Sequence, residues 1–211
     1  LAPNLTWIAT LNPSIILNHK IYLCDTLKLS EKIDFKKMNS LIEKIQPDLV
    51  YLVHLNGQPN YDKKFGQLKK KLKFEVIEDA AQSFLVKYNN KYCGTKYEIG
   101  CFSLGVTKLF HSAYGGFCCT NSTKLYERLV AIRNNGVGLD KIKLDLQLSS
   151  FNGLNFKISD ILSMIAINNL KKKSFIIAKS KQIFRTYRDY LKNKNFRFLN
   201  IDIKDALPMY P

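Results

Sequence analysis

A lysine and an aspartate each follow an apolar stretch of this sequence, and together they suit a cofactor that has an aldehyde and a ring nitrogen. Lys108 comes after an apolar run and the small residues Gly105, Val106 and Thr107, and Asp79 ends an apolar run of its own. A lysine amine can hold an aldehyde as an imine, and partial burial lowers the lysine pKa and provides the neutral amine. A carboxylate beside a pyridine nitrogen keeps that nitrogen protonated, so that the ring can accept electrons. The pair predicts a pyridoxal 5'-phosphate site with Lys108 and Asp79 as its catalytic residues.

Two further side chains could complete such a site. Ser103 could donate its hydroxyl to the phosphate group, and Trp7, the only tryptophan, could lie on the face of the pyridine ring. Taken alone, each of these residues also has a structural interpretation. Most lysines are exposed, an aspartate commonly caps a turn, a strand serine bonds the neighbouring backbone, and an isolated tryptophan is more often part of a core. The residue types alone leave both interpretations open.

The composition is that of a globular chain with a strong positive charge. The 211 residues are 46% hydrophobic and carry 33 Lys and Arg against 17 Asp and Glu, so that the formal net charge is +16. This charge favours anionic partners, but a lysine-rich coding bias explains it without a ligand. The dense basic runs, residues 69–73 and 171–173, fall at predicted helix ends or solvent faces, and the aromatic residues do not interleave with them. A basic domain that binds nucleic acid or another polyanion is therefore a remote alternative, and we expect no nucleic-acid partner.

The cysteines do not have the spacing of metal ligands. They form no CxxC pair and have no histidine at ligand spacing; they are Cys24, Cys93, Cys101, Cys118 and Cys119. Because they lie in or beside apolar stretches, we expect buried thiols in a reducing cytoplasm and no metal. No apolar stretch is long enough to span a bilayer, and the first residues do not resemble a signal peptide. We therefore expect a cytoplasmic protein without a membrane partner.

Strands and helices are predicted to alternate along the chain. Apolar runs predict strands over residues 21–24, 49–54, 74–77, 99–104 and 117–120. Helical spacing predicts helices over residues 6–17, 34–45, 61–72, 122–133 and 159–191, the last divided near residues 171–174. Thr6, Asp34 and either Asn121 or Ser122 are expected to cap three of them, and Pro13 to bend or end the first.

This alternation predicts an α/β domain with a mainly parallel sheet. Ligands of such sheets gather at the carboxyl ends of the strands, where Asp25, His54 and Asp79 fall. Residues 136–155 are predicted to be irregular, and residues 196–211 to begin a strand-like element. Both ends of the chain look cut. We expect an incomplete large domain over residues 1–192 and the start of a small C-terminal domain over residues 193–211.

Several motifs occur in order along nearly the whole chain. They are PNLTWIATLN at residues 3–12, VHLNG at 53–57, EDAAQ at 78–82, GCFS at 100–103, Lys108, GG at 115–116, RNNG at 133–136 and GLNFKISD at 153–160. Together they resemble the DegT/DnrJ/StrS family of sugar aminotransferases, which are pyridoxal phosphate enzymes with the aspartate-aminotransferase fold, or fold type I. The resemblance implies the large domain of that fold in truncated form.

The resemblance also implies roles for individual residues. In enzymes that look like this, the residue at Lys108 forms the Schiff base and shuttles the proton, the residue at Asp79 pairs with the pyridine nitrogen, and the residue at Gln82 bonds the ring hydroxyl.

Three more residues complete the implied cofactor site. The residue at Ser103 holds phosphate, and the residue at Trp7 stacks on the ring. The residue at Asn155 reaches the phosphate of the neighbouring subunit, which implies a homodimer with shared active sites.

The implied reaction is amino transfer from glutamate or glutamine to a keto group on a nucleotide-linked sugar. The sequence departs from the family in its shorter length and at three positions. Leu104 and Gly105 stand where an aromatic residue and often a histidine are usual, and Tyr114 where an acidic residue is common. An inactive truncated member and a pyridoxal phosphate-dependent sugar dehydratase are therefore alternatives. The related dehydratases replace the Schiff-base lysine, so the presence of Lys108 favours amino transfer.

Overall fold

Strands and helices alternate through most of the chain, as the sequence predicts. The computed structural model describes residues 1–28, 30–137, 153–192, 194, 201–204 and 206–208. The elements in order are β1 (Ala2–Pro3), α1 (Asn12–Ile16), β2 (Leu23–Cys24), α2 (Phe35–Ile45), β3 (Leu49–Val53), α3 (Lys63–Leu72), β4 (Glu75–Asp79), β5 (Lys87–Tyr88), β6 (Lys91–Tyr92), β7 (Ile99–Ser103), β8 (Gly116–Cys119), α4 (Thr123–Arg133), α5 (Asp160–Lys171) and α6 (Lys173–Leu191). All five predicted strands are present, with bounds shifted by at most two residues.

The central sheet has the strand order β3-β4-β7-β8. The β3-β4 and β4-β7 pairs are parallel and the β7-β8 pair is antiparallel, so the predicted mainly parallel sheet is confirmed. In this register Val53 lies beside Asp79, and Asp79 lies beside Cys101. The carboxyl ends of three neighbouring strands therefore meet at one edge of the sheet, where ligands of such folds bind.

Helices α2 and α3 cover one face of this sheet. Met38, Ile42 and Phe65 are fully buried in a cluster that includes Val50 and Val76 of the sheet. Buried apolar positions recur at helical spacing because only one face of each helix meets the strands. Burial of these side chains is the main term that stabilises this half of the molecule.

Side-chain caps set the starts of most of the longer helices. Asp34 accepts a hydrogen bond from the Lys37 N–H at 3.1 Å, and Asp62 accepts one from the Phe65 N–H at 2.8 Å. Ser122 and Ser159 cap α4 and α5 in the same way. The predicted caps Asp34 and Ser122 are confirmed, since each hydroxyl or carboxylate binds a backbone N–H that has no partner within the helix.

The prediction of one helix over residues 6–17 is wrong in where the helix starts and in its length. The segment forms a 3-10 turn, Ile8–Thr10, followed by the five-residue helix α1. Pro13 lies in the first turn of α1, where its missing N–H costs nothing, and does not end the helix. Thr6 caps neither element; its hydroxyl bonds the Thr10 hydroxyl at 2.7 Å.

The C-terminal half also differs in part from the prediction. The two long helices meet at Lys172, inside the predicted range. Residues 138–152 lie outside the described residues, as do parts of the predicted strand-like segment 196–211. Where that segment is described, at residues 201–204 and 206–208, it contains no strand. Ile201 and Ala206 instead pack against Phe184 of α6.

The cysteines are less buried than predicted. Cys24 and Cys93 are buried, but Cys101 and Cys119 are half-buried and Cys118 is exposed. The last three lie on β7 and β8, which are the two strands farthest from β3 in the central sheet. Of the described helices, none combines the length and the apolar character that crossing a membrane requires.

Candidate active site

Asp79 is the last residue of β4 and lies at the carboxyl edge of the sheet. Its Oδ2 accepts a hydrogen bond from the Thr10 hydroxyl at 2.6 Å, and its Oδ1 accepts one from the Ala81 N–H at 3.0 Å. Thr10 is buried and reaches Asp79 because the short turn before α1 packs over the strand ends. The carboxylate is therefore held in a fixed orientation before any ligand binds.

Lys108 lies in a closed loop between β7 and β8. The loop is narrowed at its base, where the Leu104 N–H donates to the Gly115 carbonyl at 2.9 Å and the Ser112 N–H donates to the Leu104 carbonyl at 2.8 Å. The Lys108 N–H donates to the Gly105 carbonyl at 2.9 Å and forms a turn. These bonds hold the lysine close to the end of the strand that precedes it.

The electrostatic setting of Lys108 has two opposing parts. Burial lowers the pKa of its amine, and the nearby negative charge of Asp79 acts in the other direction. The net pKa lies below the ordinary value, as the sequence predicts for a half-buried loop lysine. A larger fraction of this amine is therefore neutral near pH 7 than of an exposed lysine, and a neutral amine is the form that attacks an aldehyde.

Three of the predicted cofactor-binding residues line one small open pocket. Its walls are formed by Ala81, Gln82, Phe84, Ser103, Lys108, Leu109 and Phe110. Gln82 Oε1 accepts a hydrogen bond from the Asn56 N–H at 2.6 Å, and Ser103 Oγ accepts one from the Gly105 N–H at 3.2 Å. The structure thus brings Gln82, Ser103 and Lys108 together, within the electrostatic reach of Asp79.

The other three predicted residues, Asp79, Trp7 and Asn155, are not among those that line this pocket. Trp7 is 73% exposed. Its carbonyl accepts a hydrogen bond from the N–H of Thr10, the residue whose hydroxyl bonds Asp79. Asn155 is exposed and lies opposite Asn134 in an isolated antiparallel bridge. Their predicted roles remain predictions.

Beneath Asp79, the adjacent residue Glu78 points to the other face of the sheet and is fully buried. Five donors in the described part of the chain converge on its two oxygens: the His54 ring, the Tyr61 hydroxyl and the backbone N–H groups of Gly94, Lys96 and Tyr97, at 2.5 to 3.0 Å. Burial raises the pKa of Glu78, but the hydrogen bonds from His54, Tyr61 and the backbone outweigh burial and leave the pKa below its ordinary value. Glu78 is therefore a buried carboxylate that fastens the loop before β7 to β4.

His54 serves this network. Its Nδ1 accepts a hydrogen bond from the Asn60 N–H at 3.0 Å, so the ring proton is on Nε2 and points at Glu78. Asp25, the third polar residue predicted at the strand ends, pairs with Lys37 at 2.6 Å on the surface. Of Asp25, His54 and Asp79, Asp79 is the one whose charge acts on the Lys108 amine.

Thr10 and the network around Glu78 were not predicted from the sequence. Thr10 is part of the PNLTWIATLN motif, but a hydroxyl 69 residues away from Asp79 in the chain gives no local signal of contact. Glu78 also lies in a recognised motif, beside the more conspicuous Asp79. In both cases the motif held the residue and only the fold showed its partner.

The sequence pattern of the DegT/DnrJ/EryC1/StrS aminotransferase family matches residues 1–206. The chain belongs to this family. The match extends over nearly the whole sequence, so the family resemblance expected from the separate motifs is confirmed.

Relatives with assigned names are similar over most of the chain. UDP-4-amino-4,6-dideoxy-N-acetyl-beta-L-altrosamine transaminase from Campylobacter jejuni (strain 81-176) is 28% identical over 203 residues, which are 95% of this chain and 53% of the relative. GDP-perosamine synthase from Escherichia coli O157:H7 is 25% identical over 188 residues, which are 89% of this chain and 50% of the relative. This DegT/DnrJ/EryC1/StrS family member thus spans about half the length of these relatives.

Solved structures confirm the fold. The aminotransferase PseC from Helicobacter pylori superposes with a TM-score of 0.80 at 22% identity, and the match covers 92% of this chain and 52% of that one. The sugar aminotransferase CalS13 from Micromonospora echinospora gives a TM-score of 0.84 at 20% identity, with 99% and 58% covered. The predicted fold type I, aspartate-aminotransferase-like architecture is therefore correct, and this chain holds part of it.

Proposed function

We propose that this chain carries the pyridoxal phosphate site of an aminotransferase, which moves an amino group from glutamate or glutamine to a keto group of a nucleotide-linked sugar. The observation that carries the proposal is the meeting of Gln82, Ser103 and Lys108 in one pocket beside Asp79, in a member of an aminotransferase family. The roles of these side chains are inferred from their chemistry and from the family pattern.

The side chains of the pocket suit pyridoxal phosphate. The Gln82 amide oxygen is taken by the Asn56 N–H, so its NH2 group is left to donate to a ring oxygen. The Ser103 oxygen accepts from the Gly105 N–H, so its hydroxyl hydrogen can point at a phosphate oxygen. Ala81 at the pocket wall is small enough for a flat ring to approach. The donors and the amine thus match the groups that the cofactor presents.

The reaction follows from the positions of Lys108 and Asp79. Pyridoxal phosphate, when bound, supplies an aldehyde that condenses with amines and a ring that accepts the electrons of a broken C–H bond. Lys108 would hold the cofactor through its neutral Nζ, and the same amine would take up and return the proton of the reacting carbon. Asp79, with its orientation fixed by Thr10 and Ala81, would keep the ring nitrogen protonated.

The proposal extends to the substrates and the assembly. The named relatives act on UDP- and GDP-linked sugars, and a net charge of +16 would favour the approach of such anions. We include in the proposal a cytoplasmic homodimer, in which Trp7 stacks on the ring and Asn155 reaches the phosphate of the other subunit. The proposal also includes two domains: a large domain over residues 1–192 and the start of a small domain over residues 193–211.

The first half of the reaction tests the proposal directly. The full chain, loaded with pyridoxal phosphate and mixed with L-glutamate, should release 2-oxoglutarate in an amount equal to the bound cofactor. The variant Lys108→Ala should release none, because it lacks the amine that moves the proton. Lys91→Ala removes an exposed lysine of the β5-β6 hairpin and should behave as the wild type. Loaded protein that releases neither 2-oxoglutarate from glutamate nor 2-oxoglutaramate from glutamine would contradict amino transfer by this chain.

A further inference from the structure

Two cysteines face each other across the antiparallel strands β7 and β8. Cys101 and Cys118 are direct register partners, and their sulfur atoms are 3.8 Å apart. Farther along the same ladder, the Leu104 N–H donates to the Gly115 carbonyl, so Leu104 and Gly115 form a hydrogen-bonded pair. This pair lies three register steps from the two cysteines. Since hydrogen-bonded and non-hydrogen-bonded pairs alternate along such a ladder, the two cysteines occupy a non-hydrogen-bonded position, where side chains approach most closely.

The surroundings of this pair differ from those of the other cysteines. Cys118 is exposed and Cys101 is half-buried, whereas Cys24 and Cys93 are buried. The hydrogen bond from the Cys101 thiol lowers the pKa of Cys118 to about 7, although burial opposes the shift. Cys118 is therefore the thiolate-forming member and is open to a small oxidant. Cys119 is the next residue along the strand, and its thiol donates instead to the Gly94 carbonyl at 3.1 Å.

We propose that Cys101 and Cys118 are a modification site, a dithiol that hydrogen peroxide closes to a disulfide between β7 and β8. The Cys118 thiolate attacks one peroxide oxygen; an S–O bond forms, the O–O bond breaks and hydroxide leaves. Cys101 sulfur then attacks the Cys118 sulfur; the S–S bond forms, the S–O bond breaks and the departing oxygen leaves as water with the Cys101 proton. The hydroxide takes up the proton that Cys118 lost when it formed the thiolate, so two thiols are oxidised and one peroxide is reduced to two waters.

The disulfide would close a ring of chain around the candidate catalytic loop. The ring runs from residue 101 to residue 118 and contains both Ser103 and Lys108. Cys101 is also the register partner of Asp79 on β4, so the cross-link lies one strand from the carboxylate. A covalent link at the base of a loop removes conformations in which its two strands separate. Oxidation therefore restricts the loop, and this inference holds whether or not the proposed function is correct.

Peptide mapping of the full chain tests the disulfide. Reduced protein is treated with hydrogen peroxide, quenched with catalase, alkylated with N-ethylmaleimide and digested with trypsin without a reductant. Cys101 lies in the tryptic peptide of residues 97–108, and Cys118 and Cys119 lie in that of residues 109–124. We expect the two peptides to be joined, with a mass equal to their sum less two hydrogens plus one N-ethylmaleimide group on Cys119, and to separate on reduction. Recovery of both peptides unlinked, with all three cysteines alkylated, would overturn the proposal.

Two matched variants identify the partner of Cys101. Cys119→Ser should keep the cross-link and Cys118→Ser should lose it. A cross-link that persists in Cys118→Ser would assign the bond to Cys119 and overturn the pairing. Hydrogen exchange tests the consequence for the loop: amides of residues 104–115 should exchange more slowly in the oxidised wild type than in the reduced wild type. Equal exchange in the two forms would show that the bond does not restrain the loop.

Discussion

At the scale of single residues, Asp79 shows how the site is prepared for a ligand. Each of its oxygens has a donor, the Thr10 hydroxyl for Oδ2 and the Ala81 N–H for Oδ1. A carboxylate oxygen can accept more than one hydrogen bond, so both can still meet a ligand proton. The orientation of Asp79 is therefore supplied by the fold, and the cost of ordering it is met before binding.

Thr10 should contribute to cofactor affinity although it has no proposed contact with the cofactor. In Thr10→Val the shape is kept but the hydrogen bond to Asp79 is lost, and hydrogen bonds to charged groups contribute about 1.5–3 kcal/mol. We expect the dissociation constant of pyridoxal phosphate, measured by fluorescence or absorbance titration, to rise roughly ten-fold or more. Thr10→Ser keeps the hydroxyl and should bind close to the wild type. An unchanged dissociation constant in Thr10→Val would mean that Asp79 does not need this partner.

The charge of Asp79 should be measurable at Lys108. Burial lowers the pKa of Lys108 and Asp79 raises it, so Asp79→Asn leaves only the lowering effect. We expect the lysine pKa, obtained from the pH dependence of its reaction with an amine-specific reagent, to fall further in Asp79→Asn. The control Asp25→Asn removes a surface carboxylate that pairs with Lys37 and should leave Lys108 unchanged. A Lys108 pKa that does not move in Asp79→Asn would argue against the coupling of these two groups.

Residue types and motifs alone were enough to select Lys108, Asp79, Gln82 and Ser103, and the structure brings them into one neighbourhood. They could not select Thr10, because its importance arises from a contact between distant parts of the chain. The position at a strand end did not by itself distinguish His54 from Asp79, since both fall at the carboxyl ends of buried strands. Only the structure shows that the His54 side chain is buried in the Glu78 network and not directed at the pocket.

At the scale of secondary-structure elements, Glu78 joins β4 to the loop before β7. Every partner in its described surroundings is a donor, and two of its donors are the neighbouring backbone N–H groups of Lys96 and Tyr97. Gly94 in the same loop has φ +80, and a Cβ there would be 2.5 Å from the Phe102 ring. Two features therefore determine the conformation of the loop: its hydrogen bonds to the buried Glu78 carboxylate, and the position of Gly94, which requires glycine.

Replacing this carboxylate should destabilise the fold. In the wild type both Glu78 oxygens accept hydrogen bonds. In Glu78→Gln an NH2 group replaces one of these oxygens, so at least one buried donor loses its acceptor. We expect the free energy of unfolding, measured by urea denaturation, to fall by about 3 kcal/mol. Glu75→Gln on the exposed side of the same strand should change it by less than about 0.5 kcal/mol.

The effect of Glu78 should also depend on pH. Its pKa in the folded chain lies below the ordinary value of 4.5, so the unfolded chain takes up its proton first as the pH falls. The stabilisation is complete above pH 4.5 and is lost as the pH falls through the lower folded pKa. The difference in the free energy of unfolding between wild type and Glu78→Gln should thus become smaller in acid. A constant difference from neutral pH to acid would show that ionisation of Glu78 is not what the network needs.

The longer elements were predictable because each has a strong local pattern. The buried strands β3 and β4 are continuous apolar runs, and α2 combines an amphipathic pattern with the cap Asp34. The β5-β6 hairpin was missed: its strands have two residues each, and its turn depends on positive φ at Asn89 and Asn90. The helix over residues 6–17 failed because apolar side chains at helical spacing there remain largely exposed and do not pack on a core.

At the scale of the whole molecule, the C-terminal helices expose a large apolar surface. Helix α5 has no buried residue in this chain, and Ile161 and Met164 are 73% and 71% exposed. Leu154 and Phe156, just before the helix, are also exposed. Exposed apolar surface of this extent is typical of an interaction site, and it adjoins Asn155, the residue for which a role across a dimer is proposed.

This surface should hold two copies of the chain together. The double variant Ile161→Glu with Met164→Glu places charges on it and should shift the sedimentation coefficient of the protein from that of a dimer to that of a monomer. Tyr126→Glu on α4 introduces a charge at another exposed apolar position and should leave the assembly unchanged. A wild-type chain that sediments as a monomer would contradict the proposed homodimer for this chain.

One chemical measurement tests whether Lys108 is the residue that holds the cofactor. The full chain is mixed with an equal amount of pyridoxal phosphate, reduced with borohydride and digested with trypsin. Because trypsin does not cleave after a modified lysine, label on Lys108 should appear in a single peptide of residues 97–124 that carries the phosphopyridoxyl group. This peptide should hold most of the label, and Lys108→Ala should lose it. Label spread over the exposed lysines, with residues 97–108 and 109–124 recovered as separate unmodified peptides, would contradict this expectation.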